Sequence, residues 1–194
     1  MYGGNVRTRM RDHLDVANSV RSDPRRLRAA RRAAFPVVRA RRPARGRYHP
    51  ASAADVRAAL ESFGESAYYG VNLIALVPAR STNDRLVLGS LIGPGHIELY
   101  DQPRPPWRLG ETLSDPDRAR VAAAGAIVET DGVIDWPNDT LRRFMIAYVL
   151  THELGHHVLQ HERRVRGKRA ARTRDHEARA DAIAAELRGR LAWS

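Results

Sequence analysis

The stretch from Thr151 to Glu162, THELGHHVLQHE, places four histidines and two glutamates in twelve consecutive positions. On an α-helix, at about 100° per residue, His152 and His156 stand within about 40° of each other one turn apart, and Glu153 lies about 60° from His156. Two imidazoles and one carboxylate therefore converge on a common focus. His-Glu-x-x-His is the spacing at which two histidines hold Zn²⁺ and the glutamate takes a proton from the water that the metal activates. His157 falls about 140° from His152, and His161 about 180° from it, so neither shares that focus and both read as surface or packing histidines. The competing account of the five-residue pattern is an ordinary amphipathic helix with incidental histidines.

A catalytic zinc takes three protein ligands and leaves its fourth position to water, so another element must supply one more. The chain contains no cysteine, which leaves His, Asp or Glu. Glu177, in DHEARADAIAAEL, fits that role. Asp181 lies one helical turn further along the same face, and Ala180 and Ala184 beside it would let this helix approach the histidine helix closely. Asp181 is expected to accept the second N–H of His152 or His156 and so fix the ring's tautomer and orientation. His176 is the rival third ligand, but it points about 100° away from Glu177 and has no partner in phase as Glu177 has Asp181. Glu177 is therefore preferred. Its plain alternative is a solvent-facing helix glutamate.

The elements that must position these residues can be read in outline. Ser52 followed by Asp55 resembles a capping box, opening a helix through about Phe63 that Gly64 closes. YGVNLIALVP, RLVLGSLI and HIELYDQ are short β-branched runs punctuated by Gly, Pro and Asn-Asp, and predict three strands. SDPDRARVAAAG predicts a short helix with Pro116 in its first turn, and AIVETDGVIDW a hairpin with Asp131-Gly132 as a two-residue turn. Pro137 ends that strand, Asn138 or Asp139 caps, and a long helix runs to about Gln160. A basic connector, HERRVRGKRAARTR, leads to a last helix from about Asp175. The expected class is α+β: a small mixed sheet, a helix carrying the His-Glu-x-x-His residues, and a C-terminal helix carrying the glutamate. There is no internal repeat.

With 194 residues and 43% hydrophobic content, the chain can bury one good core, and one domain plus a tail is expected. Residues 1–50 hold 14 Arg against Asp12, Asp15 and Asp23, so the whole formal net charge of +11 sits there and the remainder is neutral. The division is thus an Arg-rich leader, 1–50, either partly helical, over 22–35, or disordered, and ending in the linker 41–50, and a body, 51–194. Such a leader is a solvated tail, an arm for nucleic acid or an acidic surface, or a segment lying across the cleft. Only Lys168 breaks the preference for Arg, which a GC-rich genome also produces. The N-terminus lacks an apolar core of signal-peptide length, and the longest apolar run, Ala67 to Ala79, is shorter than the roughly 20 residues a membrane span needs. A cytoplasmic protein without membrane contact is expected.

THELGHHVLQH followed by Glu177-x-x-Ala180-x-x-Ile183-Ala184-x-x-Leu187 resembles the gluzincins, and most closely the compact ImmA/IrrE-type and minigluzincin metallopeptidases. The likeness covers about residues 51–190 and implies a zincin-like fold. It implies that His152, His156 and Glu177 hold Zn²⁺, that Glu153 is the catalytic base, and that a sheet edge strand above the cleft binds the substrate backbone. HIELY (96–100) resembles that strand and equally resembles a core strand. The chain departs from the pattern in ending LRGRLAWS where an apolar turn closing in Pro is usual, and no Tyr or His follows Glu177 to stabilise an oxyanion. Arg188, within about 20° of the Glu177 face, is the candidate substitute. The expected function is zinc-dependent hydrolysis of peptide bonds in an extended protein segment. The alternative is a non-catalytic Arg-rich protein that binds nucleic acid or a partner and whose zinc site is structural or vestigial.

Overall fold

Short apolar runs cut by glycine build small sheets in the computed structural model, which describes residues 34–79, 87–108, 114–165 and 174–192. The fold is mixed α+β. Its main sheet has four strands: β1 (Val37–Ala40), β3 (Leu73–Val77), β5 (His96–Tyr100) and β4 (Gly89–Gly93), in that order. β1, β3 and β5 run parallel, and β4 returns antiparallel at the edge. A two-stranded ribbon pairs β2 (Arg47–Tyr48) with β6 (Gln102–Pro103), and a three-stranded sheet orders β7 (Trp107–Arg108), β9 (Val133–Asp135) and β8 (Ile127–Val128).

Parallel pairing requires a crossover, and α1 (Ala53–Phe63) supplies it between β1 and β3, with the short α2 (Glu65–Tyr68) following. The capping box at its start forms as expected: Ser52 Oγ accepts from the Asp55 N–H at 3.2 Å, and Asp55 Oδ2 accepts from the Ser52 N–H at 2.8 Å. Gly64 closes the helix by donating its N–H to Leu60 O. Val56, Leu60 and Phe63 of α1 are buried in one cluster with Val38, Ile74, Leu76, Ile97 and Leu99 of the sheet and Val149, Leu150 and Leu154 of the later helices.

Four expectations change. Val37–Ala40 lies within the stretch assigned to the leader, yet it is a strand of the sheet with Val38 buried in the core. Residues 41–50 are not a plain linker either: the Ala44 N–H and the Arg47 side chain both bond to the fully buried Asp101. A four-residue strand with one buried side chain is too short to register against so many arginines. For HIELY no expectation changes: of its two alternatives the core strand is the one observed, between β3 and β4, and β4 is the edge. The hairpin turn has three residues, because Gly132 N–H bonds Glu129 O and Gly132 sits at φ 82°, the left-handed position of a bulge-closed loop. The long helix is also not uniform. α4 (Thr140–Phe144) passes into a π-helical segment, Met145–Leu150, before α5 (Thr151–Val165). The proposed helix over 22–35 falls, except for its last two residues, outside the described residues.

Candidate metal centre

Helix α5 carries His152, Glu153 and His156, and α6 (Arg174–Arg188) carries Glu177 and Asp181. The helices run antiparallel, since the later α6 residue Asp181 meets the earlier α5 residue His152 while Glu177 meets His156. Their closeness has a specific cause. A Cβ built on Gly155 would lie 2.5 Å from Ala180 O, so glycine on α5 and the fully buried Ala180 and Ala184 on α6 bring the two backbones together.

At that crossing the side chains converge. His152 Nε2 and His156 Nε2 are 3.0 Å apart, and Glu177 Oε2 is 3.5 Å from the first and 3.3 Å from the second. Ligands about 2.0–2.1 Å from a tetrahedral Zn²⁺ lie roughly 3.3 Å from one another, so the triangle has the dimensions such an ion requires. These three residues form a group able to hold a metal ion. Asp181 Oδ1 lies 2.8 Å from His152 Nδ1. A carboxylate only accepts, so His152 carries its proton on Nδ1 and turns the Nε2 lone pair toward the group. The donor set, two imidazoles and a carboxylate with no thiolate, suits zinc and other borderline divalent ions alike.

Glu153 is separate from the triangle. Glu153 is 7% exposed, and its Oε2 accepts from the Leu91 N–H of edge strand β4 at 2.7 Å. Leu91 is free to donate because Leu88 O and its alternate partners face β5, which turns the Gly89 and Leu91 backbone groups outward. Gly89 makes this contact possible, since a Cβ there would meet Val149 Cγ1 at 2.8 Å and hold the helix off the strand.

The other expected site residues lie around this centre. His176 is buried beside it, its ring parallel to that of His156 at 5.1 Å between centroids, and does not belong to the ligand group. His157 packs as expected: it is buried, with Nε2 donating to Tyr69 O at 3.0 Å. Burial holds its pKa below the usual 6.5, and the neighbouring His161 adds to this against the opposing Tyr69 bond. His161 stacks edge-on against Tyr69. Arg188 is brought elsewhere than expected. Its guanidinium lies over the Tyr148 ring, 4.7 Å from the centroid, and reaches Ala147 O at 3.5 Å, both in the π-helical segment. Arg188 keeps the Glu177 face, but it stands 11 residues further along the same helix, about 16 Å, which carries it past the ligand group.

Three contributors were not anticipated: Gly155, the Leu91 backbone, and Arg120 of α3 (Asp115–Ala123), whose Nη2 lies 3.2 Å from Asp181 Oδ2. Only Gly155 had a readable signal, as a small residue on the helix face that meets Ala180. Compared with protein-family models, curated proteins and solved structures, the chain matches none of them.

Proposed function

We propose that the protein is a zinc-dependent metallopeptidase of the gluzincin kind, hydrolysing peptide bonds in a protein substrate in the cytoplasm. The observation that carries this is the division of labour at one helix crossing: His152, His156 and Glu177 converge at zinc-ligand separations, while Glu153 stands outside them with its carboxylate held by a strand edge. A structural zinc is usually closed by four protein ligands, whereas three ligands and a spare glutamate suit catalysis.

Zinc in that group supplies a water of lowered pKa and polarises the scissile carbonyl. The chain's own residues do the rest. His152 is oriented by Asp181, and Glu177 contributes the one negative charge among the ligands. Glu153 accepts the attacking water's proton and passes it to the leaving amine. Burial of Glu153 against Leu91 keeps its carboxylate in one place for both transfers. Among the described residues no helix is long and apolar enough to cross a membrane.

Metal analysis and hydrolysis of a denatured protein substrate by wild type and Glu153→Gln test the proposal. Wild type should hold about one zinc per chain, and Glu153→Gln should keep metal and fold while losing hydrolysis by orders of magnitude, since the amide cannot take the proton. Wild type that stays metal-free at neutral pH with zinc supplied would refute it. Zinc binding without any hydrolysis would favour a non-catalytic protein with a structural site.

A further inference from the structure

We propose that Arg120 is a positioning residue for the metal centre, acting on His152 through Asp181. This rests on the metal-site reading above and extends it to a third element of the fold. The two carboxylate oxygens of Asp181 are divided between two partners: Oδ1 faces His152 Nδ1 at 2.8 Å, and Oδ2 faces Arg120 Nη2 at 3.2 Å. Arg120 is itself steered by Asp117, one turn earlier on α3, at 3.7 Å, and Ser114 caps that helix by accepting from the Asp117 N–H at 3.3 Å. A chain of contacts thus runs from the start of α3, through Arg120 and Asp181, to the ring that presents Nε2 to the ligand group.

Asp181 needs such a partner because of where it stands. Its side chain is 46% exposed on α6, and that of Arg120 is 40% exposed. A carboxylate with that freedom can rotate and offer either oxygen to His152, or swing toward water. The guanidinium on Oδ2 selects the orientation in which Oδ1 meets Nδ1. Half-exposed ion pairs contribute little to folding, so the effect of Arg120 should appear in metal binding and not in the stability of the zinc-free chain. Outer partners of metal-bound histidines act in this way, through ring orientation and ligand basicity.

The test is a double-mutant cycle on the full chain: wild type, Arg120→Ala, Asp181→Ala and the double variant, with Arg120→Lys as the rescue. Zn²⁺ affinity is read by competition with a chromophoric chelator, site geometry by the visible spectrum of the Co²⁺-loaded protein, and folding by urea unfolding of the zinc-free chain. Arg120→Ala should weaken Zn²⁺ by about 3- to 10-fold, below the 10- to 100-fold expected for losing Asp181 itself. It should also alter the Co²⁺ bands and leave the urea midpoint unchanged. Arg120→Lys should recover part of the affinity, and in the Asp181→Ala background the arginine should no longer matter. Wild-type affinity and spectrum in Arg120→Ala would overturn the proposal, as would an equal loss with and without Asp181. If Asp181→Ala weakens Zn²⁺ while Arg120→Ala does not, Arg120 alone fails. If wild type binds no Zn²⁺, the metal-site reading fails with it.

Discussion

Replacing Gly155 with alanine tests whether the helix crossing sets the metal centre, because two physical effects of this one methyl group have opposite signs. Within a helix, alanine is favoured over glycine by about 0.5–1 kcal/mol, so in open space Gly155→Ala would stabilise the protein. The space is not open. The new Cβ would stand 2.5 Å from Ala180 O and 3.1 Å from Ala180 C and Cα, all backbone atoms of α6. Ordinary contact begins at 3.4 Å, so α5 and α6 must separate by about 0.9 Å along that line. Overpacking of this kind costs about 1–3 kcal/mol, which outweighs the propensity gain. Metal–ligand distances tolerate about 0.2 Å, so the separation carries Glu177 out of reach of an ion held by His152 and His156. Gly155→Ala should therefore lower the stability of the zinc-free chain by up to about 2 kcal/mol in urea unfolding. In chelator competition it should weaken zinc at least about 100-fold, more than disturbing an outer partner does. Gly93→Ala is the control, since a Cβ there meets nothing within 4 Å. A Gly155→Ala protein that is more stable than wild type and binds zinc normally would refute the crossing as the device that places Glu177.

The remaining predictions address neighbouring parts of the fold. Asp181→Ala should weaken zinc about 10- to 100-fold with little effect on folding, whereas His176→Ala, which empties a buried position beside His156, should lower the urea midpoint and keep zinc; zinc loss in His176→Ala alone would make His176 the ligand. Asp101 is fully buried, and although burial raises its pKa, the N–H groups of Ala79 and Ala44 and the Arg47 side chain hold it below the usual 3.8. Its stabilisation is then complete above that value and lost as pH falls through the lower folded one, so Asp101→Asn should cost about 1.5–3 kcal/mol at pH 7 in urea unfolding and the gap should close below about pH 4. A gap that widened in acid would reverse the sign. A chain beginning at Ala51 lacks β1 and Arg47, leaving a strand edge open and Asp101 without its cation, and should be less stable than one beginning at Ala34 by about 3 kcal/mol or more. Equal stability of the two would show that β1 contributes nothing.

What could be read in the sequence divides along the line between one helix and two. The convergence of His152 with His156, and the phase of Glu177 with Asp181, depend only on the α-helical repeat, and the structure places those residues together. Where the repeat itself changes, the same reasoning fails. Met145–Leu150 is π-helical with no residue that announces it. Phase alone also misleads: Arg188 shares the Glu177 face but stands about 16 Å along the helix, and so lies against Tyr148 instead of the ligand group. Strand order is lost for a similar reason. HIELY alternates polar with apolar residues as a half-exposed edge strand does, but Glu98 is buried and accepts from the Tyr100 hydroxyl on the far face of an interior strand. Arg120 stands 61 positions from Asp181 in a chain rich in arginine, and no local pattern separates it from a solvated charge. Gly155 is the instructive case, because it sits inside the five-residue motif at a position to which the pattern gives no role. A helix pair can have every internal angle right and still hold its ligands about 1 Å too far apart for a metal. The residue that governs that distance is the one with no side chain, facing Ala180 across the crossing, so a glycine between metal-binding histidines should be matched to the alanines of the helix that supplies the third ligand before any ligand is assigned.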